Sequence, residues 1–453
     1  PMKSVLSLSS SRWALLAAFG LAAASYTPAA AADLGGDCCA DLEERVAELE
    51  ATTARKGNRK VSLTVSGWVN EAVFVWDDGT ESNAYVGTNS LEQSRFRFVG
   101  EAQIAPGYSA GYTLEIGVQG HPSNQWNQFS PSSSSSTPTS QDNALVVRKS
   151  NWWLKSKDYG KVTVGLEGTA LYHLLDDADG ANTRNFSDAQ AGAVYQGAFK
   201  LRHNGAQIGT GTGLAWSNIL QGIDNGTVGQ DGRRNVVRYD SPTLAGFVLT
   251  ASWGEDDDWG VALTYANTWG DFKVLGKVGY GQNSDENFGC ADKSSAQPPP
   301  ATVAGTQCEL FGAAATVMHV PTGLYVYGGY AQNTDDHIRD VDPTAEDRST
   351  MYFVQGGIEQ KWLPVGKTTV FGEYRHDDGG SKLTTSLGGA NGHLQSTNID
   401  FVGAGVVQNI EPAAMDLYVL YRHADGDILG SGNVSSTSLD AFDMVIMGGL
   451  IRF

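Results

Sequence analysis

The chain has 453 residues, with 50 Asp and Glu against 31 Lys and Arg, and a formal net charge of −19 at pH 7. So acidic a chain is poorly suited to nucleic acid, because phosphate contacts need clustered Lys and Arg. The mean hydropathy of −0.25 suits both a soluble chain and a barrel, whereas the 55 Gly, the 10% aromatic content and the few Cys favour a barrel with a polar interior over a compact soluble core.

Residues 1–31 have the pattern of a secretory signal peptide. Lys3 and Arg12 give a short basic start, and an apolar run then leads to Pro28 and several alanines. No later segment has the eighteen or more consecutive apolar residues of a transmembrane helix. We therefore expect an exported chain, and loss of this segment would remove two positive charges and no negative one.

Residues 32–58 predict a short periplasmic helix. Leu42, Val46 and Leu49 recur at i, i+4 and i+7 between charged residues, as in a coiled coil. A frayed amphipathic helix without a partner is the alternative. The adjacent Cys38 and Cys39 are interpreted either as inter-chain disulfides or as free thiols.

From Val61 onward, apolar and polar residues alternate with period two. The clearest strand places Phe96 and Phe98 on one face and Arg95 and Arg97 on the other. Charges at this density cannot face an apolar core, so one face of the strand must contact water and the other must be apolar.

The same pattern predicts sixteen antiparallel strands in an all-β transmembrane barrel that occupies residues 59–453. Short connections with turn residues alternate with long polar ones, as in a barrel with both termini on one side. The connection at 254–258 is short where a long one is expected. The predicted strands are 61–76, 91–105, 108–119, 143–157, 160–168, 233–240, 245–254, 258–268, 271–281, 307–318, 322–332, 349–361, 367–377, 397–409, 413–423 and 438–453.

The last strand ends on Phe453 with apolar residues at every second position before it, Val445, Met447 and Ile451 among them. This ending resembles the C-terminal signature by which outer-membrane β-barrel proteins are recognised for assembly. A buried terminal strand of a soluble sandwich is the alternative.

Cys290 and Cys308 bracket a Pro-rich segment that we expect to be an external loop. An exported protein permits a disulfide between them, and free thiols are the alternative.

Several stretches together resemble the alphaproteobacterial porin family, a branch of the trimeric general diffusion porins. They are CCADLEERVAELEATTARKGNRKVSLTVSGWVN at 38–70, SRFRF at 94–98, YGKVTVGLEG at 159–168, RRNVVRYDSPTLAGFVLTASWGEDD at 233–257, and the terminal Phe453. The resemblance implies a homotrimer of sixteen-stranded barrels in the bacterial outer membrane. It also implies that a long third external loop, here 169–232, folds inward and constricts the lumen.

Carboxylates on that loop and guanidinium groups on the facing wall would produce a transverse field at the narrowest point, favouring polar solutes. The enteric PEFGG-type loop motif is missing from this sequence. The candidate lining residues are Arg95, Arg97, Arg234, Arg238 and Arg375 on the wall, and Asp176, Asp177, Asp179 and Asp188 on the loop.

The leading hypothesis is passive diffusion of ions and small hydrophilic solutes, without catalysis or a cofactor. The acidic net charge predicts a mild cation preference at the mouth. A substrate-selective channel, for example for sugars, would need an aromatic row, for which only Trp68 and Trp153 face inward. A tether that joins residues 32–56 to peptidoglycan is an alternative main role, and it is compatible with a diffusion channel and with a selective channel. Outer-membrane lipid and lipopolysaccharide are the other expected partners.

A barrel enzyme is the remaining alternative. None of the histidines lies in a motif with a nucleophile, and no spacing of His, Cys, Asp or Glu forms a transition-metal site. Six of the eight lie in or beside predicted loops, namely His121, His173, His203, His337, His393 and His423.

Overall fold

The structure is a computed structural model. It describes residues 60–128, 143–184, 186, 195–208, 214–220, 228–254, 258–284, 308–335, 346–379, 393–431 and 436–453. All described residues belong to one compact unit, Thr53–Phe453. The predicted signal peptide and the helix at 32–58 lie outside the described residues and stay predictions.

Eighteen strands of the described residues form one antiparallel sheet, and sixteen of them make a closed wall. This confirms the predicted sixteen-stranded barrel. The wall strands are β1 Ser62–Asp77, β2 Arg95–Ala105, β3 Tyr108–Gly120, β4 Asn143–Ser156, β5 Gly160–Gly168, β6 Arg233–Asp240, β7 Phe247–Gly254, β8 Trp259–Trp269, β9 Phe272–Asn283, β10 Cys308–His319, β11 Leu324–Asp335, β12 Arg348–Leu363, β13 Gly366–Gly379, β14 His393–Ile410, β15 Met415–Ser431 and β16 Phe442–Arg452.

Short elements of the described residues complete the chain. The strand Ser82–Thr88 pairs with β1, and Thr437–Ser438 pairs with β15. The others are the two-stranded hairpin Arg202–His203 and Ala206–Gln207, the α-helix Trp216–Ile219, and the 3-10 helices Ser123–Gln125, Asp176–Ala178 and Glu411–Ala413. None of the helices in the described part of the chain has the length and apolar character needed to cross a bilayer.

The wall closes where β16 pairs with β1, from Asp77 opposite Asp443 to Trp68 opposite Arg452. Beyond the last pair, Gly67 and Phe453 donate backbone hydrogen bonds to each other's carbonyls, both 3.0 Å long. The terminal residue therefore belongs to the seam that removes the sheet's free edges.

The connections differ between the two ends of the wall, here called the turn end and the loop end. At the turn end, neighbouring strands are joined by a few residues, and Gly107 and Gly323 adopt positive φ angles of 80° and 70° there. A Cβ at Gly323 would also collide with the backbone of Glu359. The longest loop-end connection is 169–232, called the inner loop below.

Side chains alternate between the two faces of every wall strand, as the period of two requires. In β1, Val65 and Val69 are exposed on the outer face, while Asn70 and Phe74 are buried on the inner face. The outer face carries many exposed apolar side chains, including Tyr112, Trp152, Leu154, Val162, Phe247, Leu249, Leu263, Val326, Val354, Val402, Val406 and Val419.

The sequence predicts that the whole inner face is polar. In the structure, part of the inner face is apolar. Many inward side chains of β13 to β16 and of the loop-end half of β1 are apolar and fully buried, although Arg375–Asp377 and Arg422–Glu373 form buried ion pairs among them. The apolar side chains include Phe74, Trp76, Phe371, Ile399, Phe401, Leu420, Phe442, Met444, Ile446 and Leu450. Such residues cannot face water, so another element must cover them.

The inner loop covers this apolar half. The ring of Phe199 lies 4.9 Å from both Trp76 and Phe442, and Phe186 stacks on Tyr418 at 4.7 Å. Trp216 packs 6.2 Å from Phe442. The barrel therefore encloses an aromatic core of the kind found in soluble proteins, and this core fixes the loop to one side of the lumen.

Replacing Phe442 with Ala tests this core. The ring is 2% exposed and contacts rings from both the wall and the loop. We expect the free energy of unfolding in detergent to fall by about 3–5 kcal/mol, because the change removes buried area and leaves a cavity.

Phe247→Ala is the matched control, because its ring is 43% exposed on the outer face. Chemical denaturation followed by tryptophan fluorescence measures both variants. An equal loss of stability would contradict the buried aromatic core.

Candidate functional site

The inner loop starts against the inner face of β8 to β10. Its root is closed by a hydrogen bond from Thr169 N to Gly232 O of 3.0 Å. Leu171 and Leu174 then fill the space above inward-facing glycines, since a Cβ at Gly279 would lie 2.8 Å from the Leu174 side chain. Small residues on these strands thus let the loop approach the wall closely.

Polar contacts carry the loop onward across the inside of the barrel. Thr316 on β10 donates to Ala178 O at 2.6 Å, and the Thr183 hydroxyl oxygen lies 2.9 Å from Gln355 Oε1 on β12. Asn182 donates to Asp416 on β15 at 3.0 Å. Together with the aromatic core, these contacts hold the loop on β8 to β16 and leave the inner face of β2 to β5 facing it.

The hairpin formed by Arg202–His203 and Ala206–Gln207 lies in the middle of the inner loop and is bonded to neighbouring connections. Arg202 Nε donates to Asp78 at 2.6 Å, and Arg202 also pairs with Glu81. The backbone N–H groups of Asn204 and Gly205 donate to the Asp440 carboxylate at 2.9 and 2.7 Å. Both the root and the middle of the inner loop are therefore bonded to the wall or to another connection.

Of the three described candidate aspartates, Asp176 and Asp179 are turned into the loop itself. Asp176 lies 2.6 Å from His173 Nδ1 and 3.2 Å from Arg184 Nε. Burial opposes ionisation of Asp176, but the adjacent His173 and Arg184 hold the pKa of its carboxyl below its ordinary value.

Asp179 accepts hydrogen bonds from Thr183 Oγ1 at 2.6 Å and from Ala181 N at 2.8 Å. Burial nonetheless raises the pKa of Asp179 to about 6. Asp177 is the exposed member of the set, and it bonds Arg184 at 2.9 Å and Lys277 on β9 at 2.6 Å. The structure does not describe Asp188.

Three guanidinium groups converge on one carboxylate at the inner face of β2 to β4. Glu115 on β3 accepts from Arg97 Nε at 2.6 Å, from Arg148 Nε at 3.0 Å and from Arg95 Nη1 at 3.3 Å. Arg95 also bonds Glu92 at 2.7 Å and lies over the Trp68 ring at 4.5 Å. Arg97 is the most accessible of the three, with 34% of its side chain exposed.

A second group of charges continues this surface across β4 and β5. Lys149 bonds Glu167 at 2.5 Å, and Lys161 lies 5.5 Å over the Trp153 ring. The Lys149 ammonium is also 5.9 Å from the ring of Tyr172 on the inner loop. The inner face of β2 to β5, called the basic wall below, thus meets the loop near Tyr172.

The remaining wall candidates lie apart from Glu115. Arg238 pairs with Asp240 at 2.8 Å and donates to Gly168 O at the root of the loop. Arg375 is 2% exposed and pairs with Asp377 in the apolar half.

Arg234 bonds Asp231 at 2.9 Å and also pairs with Asp258. Burial and the neighbouring Asp231 carboxylate raise the pKa of Asp258.

Sequence reasoning overlooked Glu115, Arg148 and Lys149. The alternation of side chains along β3 places Glu115 on the inner face, so the sequence pattern could have identified it as a lining residue. Arg148 lies at a register shift, because Glu115 pairs with Lys149 while Ile116 pairs with Val147. A bulge inserts a residue and breaks the parity rule, so no alternating pattern could assign Arg148.

Cys308 is disulfide-bonded, and Cys290 lies outside the described residues, so their pairing stays a prediction. Among the residues that the structure describes, no three His, Cys, Asp or Glu are grouped so as to hold a metal ion.

Comparison with protein families finds a match to the Gram-negative porin family model over residues 14–440. The fold is similar to the anion-selective porin from Comamonas acidovorans, with a TM-score of 0.54 and 14% identity over 87% of this chain and 100% of that chain. It is also similar to OmpT, an outer membrane protein of Vibrio cholerae, with a TM-score of 0.50 and 13% identity over 88% and 99%. At these identities the two structures support the fold alone. No curated protein sequence matches the chain.

The raised pKa of Asp179 predicts how the inner loop responds to pH. The ordinary value of 3.8 becomes about 6 in the folded chain, so the folded state holds the proton more tightly. Stability should therefore fall as the pH rises from about 4 to about 6 and stay low above that.

Asp179→Asn keeps an oxygen acceptor and stays neutral at every pH, so it should lack this loss. We expect similar thermal unfolding midpoints for wild type and variant at pH 4, and a higher midpoint for the variant at pH 7. A difference in midpoint that does not change with pH would show that Asp179 does not titrate in this range.

Proposed function

Because the chain belongs to the Gram-negative porin family, it is an outer-membrane channel, and we propose that small hydrophilic solutes diffuse passively between its inner loop and its basic wall. The observation that carries this proposal is the division of the inner face. One half is apolar and covered by the loop, and the other carries Arg97, Lys149 and their partners. Charged side chains and water along such a passage can replace the hydration of a polar solute.

The local charges favour anions at the constriction. Counting only the described residues around Glu115 and Glu167, the basic wall has more cations than carboxylates, namely Arg95, Arg97, Arg148, Lys149 and Lys161 against Glu92, Glu115 and Glu167. On the facing loop, Asp177 is balanced by Arg184 and Lys277. The acidic net charge suggests cations at the mouth, but selectivity follows the field at the narrowest point. A protein of similar fold is described as an anion-selective porin, which agrees with this proposal.

A sugar-selective channel receives less support. Trp68 and Trp153 both lie on the inner face, but Arg95 covers the first ring and Lys161 the second. Rings covered by cations do not offer a bare aromatic row for a sugar. A channel also needs no catalytic group, and we keep the interpretation that the chain is not an enzyme.

We also propose a homotrimer in contact with outer-membrane lipid and lipopolysaccharide. The outer face of β3 to β5 is apolar and exposes Tyr112, Trp152, Leu154 and Val162, which suits either a protomer interface or lipid. Light scattering of the detergent-extracted protein, corrected for detergent, tests the trimer. A monomeric mass for the folded protein would refute it.

The motifs at 38–70 and 233–257 support placing the chain in the alphaproteobacterial branch. Attachment of the N-terminal segment to peptidoglycan remains a compatible second role. Mass spectrometry of cell-wall digests tests it, and the absence of residues 32–56 from muropeptide-linked material would refute it.

Ion selectivity tests the main proposal. In a planar bilayer with a KCl gradient, we expect the reversal potential of the wild-type channel to lie on the chloride side. The double variant Arg97→Gln with Lys149→Gln should lower the chloride-to-potassium permeability ratio by roughly threefold or more, because it removes two accessible charges from the passage.

Lys361→Gln with Lys367→Gln is the matched control. It removes two charges at the turn end, where the side chains are 50% and 57% exposed, and should leave the ratio unchanged. A wild-type reversal potential on the potassium side would overturn the anion preference. The absence of any conductance from the folded protein would contradict the proposal that solutes diffuse through it.

A further inference from the structure

A chain of three close oxygen contacts joins the inner loop to the wall. Thr183 Oγ1 lies 2.6 Å from Asp179 Oδ2 on the loop and 2.9 Å from Gln355 Oε1 on β12. The same Gln355 oxygen lies 2.9 Å from the Tyr325 hydroxyl on β11. All three distances are in the range of hydrogen bonds, so Thr183 links a carboxylate of the loop to the wall.

This chain has one proton too few if Asp179 is ionised. Gln355 Nε2 donates to Glu373 Oε2 at 3.4 Å. The Gln355 oxygen therefore faces Thr183 and Tyr325. An amide oxygen and a carboxylate only accept hydrogen bonds, so Thr183 and Tyr325 supply one proton each. Three contacts need three protons, and a proton on Asp179 is the third.

Two arrangements of these protons follow. With Asp179 protonated, its carboxyl O–H donates to Thr183 Oγ1, and the Thr183 hydroxyl donates to Gln355 Oε1. With Asp179 ionised, the Thr183 hydroxyl turns to the carboxylate, because a hydrogen bond to a charged acceptor is stronger. The contact between Thr183 and Gln355 then lacks a proton and becomes repulsive. Loss of the Asp179 proton to water thus removes one hydrogen bond between the loop and β12.

Burial prevents water from replacing that bond. Thr183 and Gln355 are fully buried, and the Tyr325 side chain is 3% exposed. A buried hydrogen bond that is lost leaves its acceptor unsatisfied, which costs more than the same loss at the surface. Asp179 itself is partly exposed, so its carboxyl exchanges protons with the water of the passage.

Among the described residues, no ion pair holds Asp179 in its ionised form. The Arg184 guanidinium favours ionisation of Asp179, but it is bonded to Asp176 and Asp177. Burial outweighs this effect and raises the pKa of Asp179 to about 6. The other charged or titratable groups around this part of the loop are His173 on the loop, Lys273 and Lys277 on β9, Tyr325 on β11, Glu359 with Lys367, Glu373 with Arg422, and Asp416 with Arg452.

We propose that Asp179, Thr183 and Gln355 form a proton-controlled latch, which bonds the inner loop to β12 when Asp179 is protonated and releases it when Asp179 ionises. This inference rests on the proposed function, because the loop forms one side of the diffusion path. A released loop segment moves more, and the current through the passage fluctuates with it. The open channel therefore carries a steadier current in acid than at neutral pH.

Three substitutions separate the latch from the fold. Thr183→Val keeps the shape of the side chain and removes the hydroxyl, so the latch is open at every pH. Asp179→Asn keeps the oxygen that accepts from Ala181 N, and its Nδ2–H donates to Thr183, so the latch stays closed. Thr183→Ser retains the hydroxyl and should behave as wild type. Thr369→Val on β13 is the matched control, because Thr369 is 1% exposed and its hydroxyl has no partner among the described residues.

Hydrogen–deuterium exchange of the detergent-solubilised protein measures the release of residues 179–184, with each rate taken relative to the unfolded peptide at the same pH. At pH 4 we expect Thr183→Val to exchange about fivefold faster than wild type, because it lacks one hydrogen bond, and the other variants to match wild type. At pH 7 Asp179→Asn should exchange about fivefold more slowly than wild type, and the remaining variants should match it.

Two exchange results would overturn the latch. The first is an equal rate in wild type and Asp179→Asn at pH 7. The second is faster exchange of Thr183→Val by the same factor at both pH values, because a merely structural hydroxyl would act in that way.

Planar-bilayer recordings of the same proteins separate this inference from the proposed function. The open-channel current of wild type should fluctuate more at pH 7 than at pH 4, and that of Asp179→Asn should be equally steady at both. Conductance with equal fluctuations and equal exchange rates in these two proteins would refute the latch and leave the channel intact. The expected exchange pattern without any conductance would refute the channel and leave the latch intact. The expected exchange pattern with a wild-type current that is equally steady at both pH values would overturn control of the current by the latch.

Discussion

Closure of the wall by β1 and β16 is the constraint on which the rest of the structure depends. A bilayer offers no hydrogen-bond partners, so every backbone N–H and C=O of a membrane-crossing strand must be paired within the protein. The mutual bonds of Gly67 and Phe453 complete that pairing at the last residue. Once the wall is closed, every second side chain must face inward, and each inner face needs either water or a covering element.

The two halves of the inner face meet this need differently. On the apolar half, Phe442 and its neighbours are covered by Phe199 and Trp216 of the inner loop, so burial of rings holds the loop in place. On the basic wall, Arg97 and Lys149 stay partly exposed to water. The position of the loop, and with it the proposed path of the solute, is therefore a consequence of one distribution of apolar and charged residues around the barrel.

The sequence was sufficient for the strands but not for the contents of the lumen. Period-two alternation and turn residues located fifteen wall strands to within four residues at each end, whereas β15 continues eight residues beyond its predicted end at 423. Parity placed Arg95 and Arg97 on the inner face. Alternation separates two faces but does not say what covers each, so the apolar half behind Phe442 was missed. Asp176 and Asp179 bond within the loop through local turns, which no pattern of strands encodes.

The most direct test of this account is the accessibility of its two inner faces. Single cysteines at Lys149 on the basic wall and at Ile446 on the apolar half would be treated with a membrane-impermeant, water-soluble thiol reagent, and modification read at each peptide by mass spectrometry. Lys149 lies beside the passage, whereas Ile446 is 1% exposed beneath the loop. The account predicts rapid modification at 149 and protection at 446 in the folded protein. Equal modification at the two positions would mean that the loop does not fill half of the lumen.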